Sequence, residues 1–245
     1  MMRLTGYGVK IILPYLFRGI EESSAWRGKI ANIWALGNMA YCSPKQLSFN
    51  LPNIVSSISK AISDTHPMVR QSANESLELI GSTIQNPEIS GIADVLIKSL
   101  SNPFDENLKG LEILLSTNFA HYIDAPALSL LIPIIDYGLR SQDSLQKQQA
   151  ARVVGCIPVL IKNSEDLVPY MNMLVGGLEV ALGDPLIEVR ALAAKAIGRL
   201  SHKVGIEHSE HFFKFVWDIL ETQEVAALKR SGAANSLAEI ICGQG

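Results

Sequence analysis

The chain has 245 residues, of which 48% are hydrophobic and 18% are charged. This balance is typical of a folded protein and argues against an intrinsically disordered one. The formal net charge of −3 argues against a generic nucleic-acid binder, because such proteins carry a strong basic excess. A local basic stripe is still compatible with that charge.

The sequence shows no signal peptide and no segment that could cross a membrane. The apolar run at residues 9–17 is broken by Pro14 and lacks a small-residue cleavage site, and no stretch offers ~18 uncharged apolar residues in a row. Cys42, Cys156 and Cys242 have no C-x-x-C spacing and lie in apolar helical runs. They are predicted to be buried free thiols in a reducing compartment. We therefore expect a cytoplasmic protein.

Taken in chain order, turn residues interrupt the helical periodicity at regular intervals. The predicted helices cover residues 8–20, 26–41, 51–63, 68–84, 89–100, 105–117, 124–140, 144–161, 164–182, 185–204, 209–220 and 225–241. Consecutive helices pair into hairpins, each with an outer helix followed by an inner helix. The predicted hairpins span residues 4–41, 51–84, 88–118, 125–161, 164–204 and 209–242.

The stretch Asp184–Leu200 shows the design of an inner helix. Asp184-Pro185 fits an N-cap followed by a first-turn residue that needs no N–H partner. Val189, Ala193 and Ile197 then recur at helical spacing and form one apolar face. Because Ala193 is small, a second helix can approach closely there. A single helix of this kind cannot bury its apolar face alone, so it needs similar neighbours.

Such neighbours recur along the chain at spacings of 43, 37, 40, 43 and 40 residues. The positions equivalent to Arg190 are Arg27, Arg70, Asn107, Lys147, Arg190 and Arg230. The apolar residues seven positions later are Trp34, Leu77, Leu114, Val154, Ile197 and Leu237. A period of ~40 residues built from two helices is the signature of HEAT-type repeats. The sequence therefore predicts an all-α fold, an α-solenoid of about six HEAT-type helical hairpins.

The predicted hairpins form a single array over residues 1–245. Terminal repeats of a complete solenoid normally carry a polar outer face, and neither end of this sequence has one. We therefore expect the array to be a fragment of a much longer solenoid.

No motif for catalysis or for a cofactor is present. The phosphate-binding patterns G-x-x-x-x-G-K-[ST] and G-x-G-x-x-G and the nucleophile elbow G-x-S-x-G are all missing. His202, His208 and His211 cluster with Glu207 and Glu210, but only His208 and His211 have zinc-ligand spacing, which favours a solvated polar turn. The sequence therefore predicts no enzyme, no cofactor, no metal and no small-molecule substrate.

Charge along the predicted inner surface is more informative. Five residues after each repeat marker, the second and third repeats carry Glu75 and Glu112, whereas the fourth and fifth carry Arg152 and Lys195. The fourth and fifth repeats would then present five basic side chains side by side, namely Lys147, Arg152, Lys195, Arg199 and Lys203. A groove with one basic end suits RNA phosphates or an acidic protein segment. The alternative is that these residues are ordinary solvated or ladder-forming charges.

Several runs of sequence resemble one family over nearly the whole chain. They are Tyr41–Ser48, Ile80–Ile89, His121–Leu128, Asp184–Leu200 and Arg230–Ala234. These runs are similar to the eukaryotic translational activator of general amino-acid control, in its central region that is itself similar to the HEAT region of fungal elongation factor 3.

The resemblance implies a non-catalytic scaffold that binds ribosomes and partner proteins and helps to activate the initiation-factor-2-alpha kinase during amino-acid starvation. It also implies an ABC-type ATPase partner protein, and contact with the kinase through other parts of a longer chain. Two other functions stay open at this point. The chain could be the HEAT arm of an elongation-factor-3-like ribosomal ABC ATPase, or a transport or assembly adaptor that binds an acidic peptide in its groove.

Overall fold

The computed structural model describes residues 6–41, 50–222 and 226–243. These residues form α-helices and short 3₁₀ turns and contain no β-strand, which confirms the all-α prediction. The helices are α1 (Gly6–Glu21), α2 (Trp26–Asn38), α3 (Leu51–Ala61), α4 (Pro67–Gly81), α5 (Pro87–Ser101), α6 (Pro103–Ser116), α7 (Ala125–Arg140), α8 (Ser144–Leu160), α9 (Met171–Leu182), α10 (Ile187–Val204), α11 (Ile206–Glu221) and α12 (Ala227–Gly243). The even-numbered helices are the inner helices of the hairpins.

Local sequence explains where several helices begin. Asn86 Oδ1 accepts a hydrogen bond of 2.7 Å from the Ile89 N–H at the start of α5, and Pro87 follows it in the first turn, where its missing N–H costs nothing. Asp143 Oδ1 caps α8 in the same way, by accepting from the Leu145 N–H at 3.0 Å. Because these cap residues can be recognised in a sequence, nearly all helix bounds lie within three residues of their predicted positions.

One predicted outer helix is shorter than expected. Instead of a continuous helix over 164–182, the chain forms two 3₁₀ turns, Ser164–Asp166 and Val168–Tyr170, before α9 begins at Met171. Pro169 has no N–H to donate to a carbonyl four residues earlier. The Tyr170 N–H bonds to the Leu167 oxygen three residues earlier, at 2.9 Å, which is the tighter 3₁₀ pattern.

The described chain divides into two compact units. The first contains the residues up to Pro103 together with Ile123–Pro133, and the second contains Phe104–Tyr122 together with the residues from Ile134 onwards. In the first unit, α2 packs on α4, while α1 and α3 pack on their inner partners. In the second unit, α10 packs between the inner helices α8 and α12 and also contacts α9 and α11. Inner helices therefore bury their apolar faces against each other, as repeat stacking requires.

Glycines set how closely helices of the second unit approach. A β-carbon at Gly232 of α12 would lie 2.5 Å from the Leu182 carbonyl oxygen. A β-carbon at Gly198 of α10 would lie 3.0 Å from the backbone oxygen of Glu239. Both distances are shorter than van der Waals contact, so no larger residue fits without moving a helix.

Close packing also explains Gly176-Gly177. A β-carbon at Gly177 would lie 2.8 Å from a methyl carbon of Leu139, and one at Gly176 would lie 2.9 Å from the guanidinium of Arg140. The pair therefore makes room on α9 for the side chains of α7.

The predicted register of the first repeat is wrong by two residues. Trp34, predicted to face inward, is 60% exposed, whereas Leu36 is completely buried. Lys29, and not Arg27, takes the marker position, because Lys29 Nζ lies 2.7 Å from Asp64 Oδ2 in the next turn. The spacing of 43 residues pointed to Arg27, but buried Ile33, Leu36 and Gly37 define the packed face of α2.

These glycines give a test of the close packing in the second unit. We expect Gly232→Ala to lower the free energy of unfolding by about 1–2 kcal/mol, because the new methyl overlaps a backbone oxygen. Gly91→Ala is the matched control, since Gly91 lies on α5 with nothing within 4 Å of its β-carbon position. That change should raise stability by about 0.5–1 kcal/mol through helix propensity. Urea denaturation followed by circular dichroism measures both, and equal effects would contradict the packing.

Candidate binding surface on the inner helices

A buried carboxylate connects successive repeats in the second unit. Asp184, in the turn before α10, accepts hydrogen bonds from Lys147 Nζ at 2.7 Å and from the Leu186 N–H at 2.9 Å. The Ser144 hydroxyl donates to the same carboxylate at 3.2 Å. Arg190, near the start of α10, donates to the Asp184 carbonyl oxygen at 2.7 Å. This bond fixes the loop that contains Asp184 against the beginning of the helix. Asp184 therefore binds its own helix and the preceding inner helix at once.

The first unit repeats this arrangement. Asp64 accepts from Lys29 Nζ at 2.7 Å and from the His66 N–H at 2.9 Å. Arg70 donates to the carbonyl oxygens of Asp64 and Thr65, each at 2.9 Å. In both units, a lysine of one inner helix and an arginine of the next thus bond to the aspartate residue in the turn that precedes the second of these helices.

Hydrogen bonding lowers the pKa of both aspartates. Burial raises the pKa of the Asp184 carboxyl, but the bonds from Lys147, the Leu186 N–H and Ser144 outweigh burial, so the pKa lies below its ordinary value. For Asp64, the bond from Lys29 and then the bond from the His66 N–H outweigh burial and also lower the pKa. Both carboxylates are therefore held in their charged form.

Lys147 belongs to this buried cluster and not to the surface on which the sequence placed it. Its side chain is 11% exposed and that of Asp184 is completely buried. A lysine with that little exposure and a 2.7 Å partner cannot offer its charge to a binding partner without breaking the pair. Lys147 is therefore a structural residue, and the predicted basic surface has to consist of the other four side chains.

Arg152 and Lys195 are the exposed members of the predicted set. They occupy equivalent positions on α8 and α10, each five residues after its repeat marker, and these two helices pack directly on each other. Both side chains are exposed, and neither has a hydrogen-bond or ion-pair partner among the described residues. Their charges are therefore available to solvent or to a partner.

Arg199 and Lys203 use part of their hydrogen-bonding capacity within the unit. Arg199 of α10 donates to the Gly155 carbonyl oxygen of α8 at 3.0 Å, and Lys203 donates to the Ile161 carbonyl oxygen at 2.6 Å. These bonds cross from α10 to one carbonyl oxygen in the second half of α8 and to one just after that helix ends. The exposed guanidinium of Arg199 has further N–H groups, so it can contribute charge to the surface that Arg152 and Lys195 form.

Two further residues lie on the same exposed face of α8 and were not predicted there. Cys156 lies four residues after Arg152, and Val159 lies three residues after Cys156. Val159 is 73% exposed. The prediction that Cys156 and Cys242 are buried is wrong, since both are free and exposed, whereas Cys42 lies outside the described residues. A helical projection from Arg152 would have identified this face, but the apolar character of both residues suggested the core.

No other kind of site is apparent in the described residues. Within residues 6–41, 50–222 and 226–243, no three described His, Cys, Asp or Glu side chains are grouped so that they could hold a metal ion. The side chains of His208 and His211 lie outside the described set. None of the helices described is long and apolar enough to span a membrane.

The fold and its turn clusters define a HEAT-repeat protein. A family profile described as the EF3 N-terminal HEAT repeat matches residues 1–77, and one described as the Elongation factor 3/GNC1 HEAT repeat matches residues 106–211. The chain is 40% identical over 245 residues to the human protein named stalled ribosome sensor GCN1. It is 38% identical over 245 residues to the eIF-2-alpha kinase activator GCN1 of Saccharomyces cerevisiae.

A more distant relative is elongation factor 3 of Gonapodya prolifera, which is 26% identical over 248 residues, 97% of this chain and 22% of that protein. Both GCN1 matches cover 100% of this chain but only 9% of the relative. Residues 106–211 therefore match the elongation factor 3/GNC1 HEAT-repeat model, and the whole chain is similar to one segment of the GCN1 proteins. This confirms the family resemblance drawn from the sequence.

The buried ion pair can be tested by removing one partner. We expect Asp184→Ala to lower the free energy of unfolding by about 3 kcal/mol, because Lys147 would be left charged and unpaired in a buried position. The control is Glu21→Ala, which removes an exposed partner 3.7 Å from Lys60 and should change stability by less than about 0.5 kcal/mol. Urea midpoints compare the two. Similar small losses would show that the buried pair does not hold the repeats together.

The lowered pKa of Asp184 also predicts a pH dependence. Its carboxylate stabilises the folded chain at pH values above the unfolded pKa of about 3.9, and this contribution is lost as pH falls through the lower folded pKa. Asp184→Asn removes the titrating group. The stabilities of wild type and Asp184→Asn should therefore differ most near neutral pH and converge as pH falls below about 4. Urea unfolding at several pH values measures this, and parallel curves would contradict it.

Proposed function

We propose that this chain is a non-catalytic scaffold that binds ribosomes and partner proteins and helps to activate the initiation-factor-2-alpha kinase. The observation that carries the proposal is full-length identity of 40% and 38% to proteins named as a stalled ribosome sensor and as an eIF-2-alpha kinase activator. Because the chain spans 9% of those relatives, it would supply one segment of that activity. An activity on ribosomes would be cytoplasmic.

The exposed basic side chains of α8 and α10 are the proposed ribosome contact. Arg152 and Lys195 have no partners among the described residues, and Arg199 is exposed beside them on α10. Positive charges on neighbouring helices suit the phosphate groups of ribosomal RNA, and they act locally even though the whole chain has a net charge of −3. Lys203 contributes at the margin, because its amine already bonds to the Ile161 oxygen.

Two protein partners are also part of this proposal, on the strength of the family resemblance. The first is an ABC-type ATPase that would dock on the helical repeats, and the second is the kinase itself, reached through other parts of a longer parent chain. Helical repeats suit this task, because each repeat contacts only its neighbours and leaves a long exposed surface for several partners. Catalysis would then belong to the partners.

A second candidate function is the HEAT arm of a ribosomal ATPase. The similarity of 26% over 97% of the chain to elongation factor 3 favours it. Sequencing the complete reading frame separates the two functions. Continuation into a G-x-x-x-x-G-K-[ST] motif would favour the ATPase arm, because that loop cradles nucleotide phosphates.

Charge reversal tests the proposed ribosome contact. We expect Arg152→Glu/Lys195→Glu to weaken co-sedimentation of the 245-residue chain with ribosomes about tenfold, and to reduce the slope of log affinity against log salt by about 2. Adding Arg199→Glu should weaken binding further.

The matched control is Lys98→Glu/Lys214→Glu, which makes the same charge change at two exposed lysines of the outer helices α5 and α11. This control should bind as wild type does if the contact is local. Equal sedimentation of all variants would rule out the α8–α10 surface. Binding that survives ribonuclease treatment but is still lost in the double variant would indicate an acidic protein partner instead.

A further inference from the structure

A second exposed surface lies in the first unit, on α2 and the 3₁₀ turn that follows it. Trp34 is 60% exposed and Tyr41 is 62% exposed, seven residues apart and hence on one side of the helical segment. The indole N–H of Trp34 has no acceptor among the described residues. Two large aromatic side chains exposed on one side of the same segment form an apolar patch of the kind that can contact a partner.

The neighbouring inner helix extends this surface. The Ser76 hydroxyl of α4 donates to the Ile33 carbonyl oxygen of α2 at 3.2 Å, and Tyr41 Oη lies 3.4 Å from Ser82 Oγ. Gly37 makes the approach possible, since a β-carbon there would lie 2.7 Å from Ser76 Cβ. The two helices are therefore in direct contact along this length, and their solvent-facing sides form one continuous surface.

The part of this surface supplied by α4 is acidic. Glu75, next to Ser76, and Glu78 are both exposed. Glu75 accepts one hydrogen bond of 2.8 Å from Gln71, and Glu78 has no partner among the described residues. These two carboxylates lie on the length of α4 that contacts α2 and the 3₁₀ turn through Ser76 and Ser82.

Nearby basic side chains are already engaged. Lys29 is paired with Asp64 at 2.7 Å, and Arg70 donates to backbone oxygens of the same turn. The guanidinium of Arg27 lies 4.5 Å from the ring centroid of Trp26. The carboxylates of Glu75 and Glu78 are thus not neutralised by these residues.

We propose that Trp34, Tyr41, Glu75 and Glu78 form a docking surface for an extended segment of a partner protein that is rich in Lys and Arg. Indole and phenol rings attract such cations through cation–π contacts, and the carboxylates pair with them. Asn38, one turn after Trp34, donates to the Trp34 carbonyl oxygen at 2.8 Å, so its own side-chain oxygen can accept from a peptide N–H. Carboxylates repel phosphates, which disfavours RNA here.

This proposal does not depend on the ribosome contact proposed above, because it uses other helices and the opposite charge. The test measures binding of the 245-residue chain to a fluorescein-labelled octapeptide of alternating Lys and Arg, by fluorescence anisotropy at low salt. The comparison probes are an octapeptide of alternating Glu and Asp and an oligouridylate of similar length.

We expect the basic octapeptide to bind, and Glu75→Lys/Glu78→Lys to weaken it about tenfold. Trp34→Ala should weaken it about threefold through the lost cation–π contact, and Trp34→Phe should restore part of that loss. The matched controls lie at other exposed positions of the first unit: Glu22→Lys/Asp94→Lys makes the same charge change, and Tyr15→Ala removes an exposed aromatic ring. Both controls should stay within twofold of wild type.

Circular dichroism and melting temperature establish that each variant is folded. If the lysine variant unfolds, Glu75→Gln/Glu78→Gln removes the charges without reversing them and should weaken binding about threefold. Equal losses in the controls and in the surface variants would overturn the proposal. A second result would also overturn the proposal. In it, the basic octapeptide does not bind, whereas the oligouridylate binds wild type and Glu75→Lys/Glu78→Lys equally well.

Discussion

The fold depends on an aspartate in the turn that precedes an inner helix. Asp184 accepts from its own helix through the Leu186 N–H and from the preceding inner helix through Lys147. The carboxylate is completely buried, and an unpaired charge there would destabilise the fold by several kcal/mol. The folded chain therefore has to keep these bonds. A single side chain therefore sets where the helix begins and how far it lies from its neighbour, and Asp64 does the same in the first unit.

This constraint divides the basic residues of the inner helices into two groups. Lys147 and Lys29 hold the turns together, whereas Arg152 and Lys195 lie on the exposed side of their helices without partners among the described residues. Arg199 and Lys203 are intermediate, because they bond to carbonyl oxygens of the neighbouring helix. Loss of charge in the first group should damage stability, and loss in the second should damage binding, so the two roles can be separated by mutation.

Much of this could be predicted from the sequence, for identifiable reasons. Caps such as Asn86-Pro87 and the apolar spacing of Val189, Ala193 and Ile197 gave the helices, because they depend on residues close in the chain. A ladder-forming role for Lys147 was one alternative, but the sequence alone could not choose it over an exposed one, since burial of Lys147 depends on Asp184, 37 residues later. The exposure of Trp34 was missed for a related reason. The spacing between repeats does not show which side of each helix is packed, so a register error of two residues in α2 could not be detected from it.

The position five residues after each repeat marker shows how one framework can serve different partners. In the second repeat it carries Glu75, and in the fourth and fifth repeats it carries Arg152 and Lys195, all of them exposed. The turn aspartates and their lysine partners have the same geometry in both units, so the change of charge sign costs the framework nothing. Because the stabilising contacts lie in the turns and the variable charges lie on the exposed faces, each repeat can change what it binds without changing how it stacks. Opposite charge on two surfaces of one chain is therefore a matter of surface substitution alone, and each surface can recruit a partner of its own.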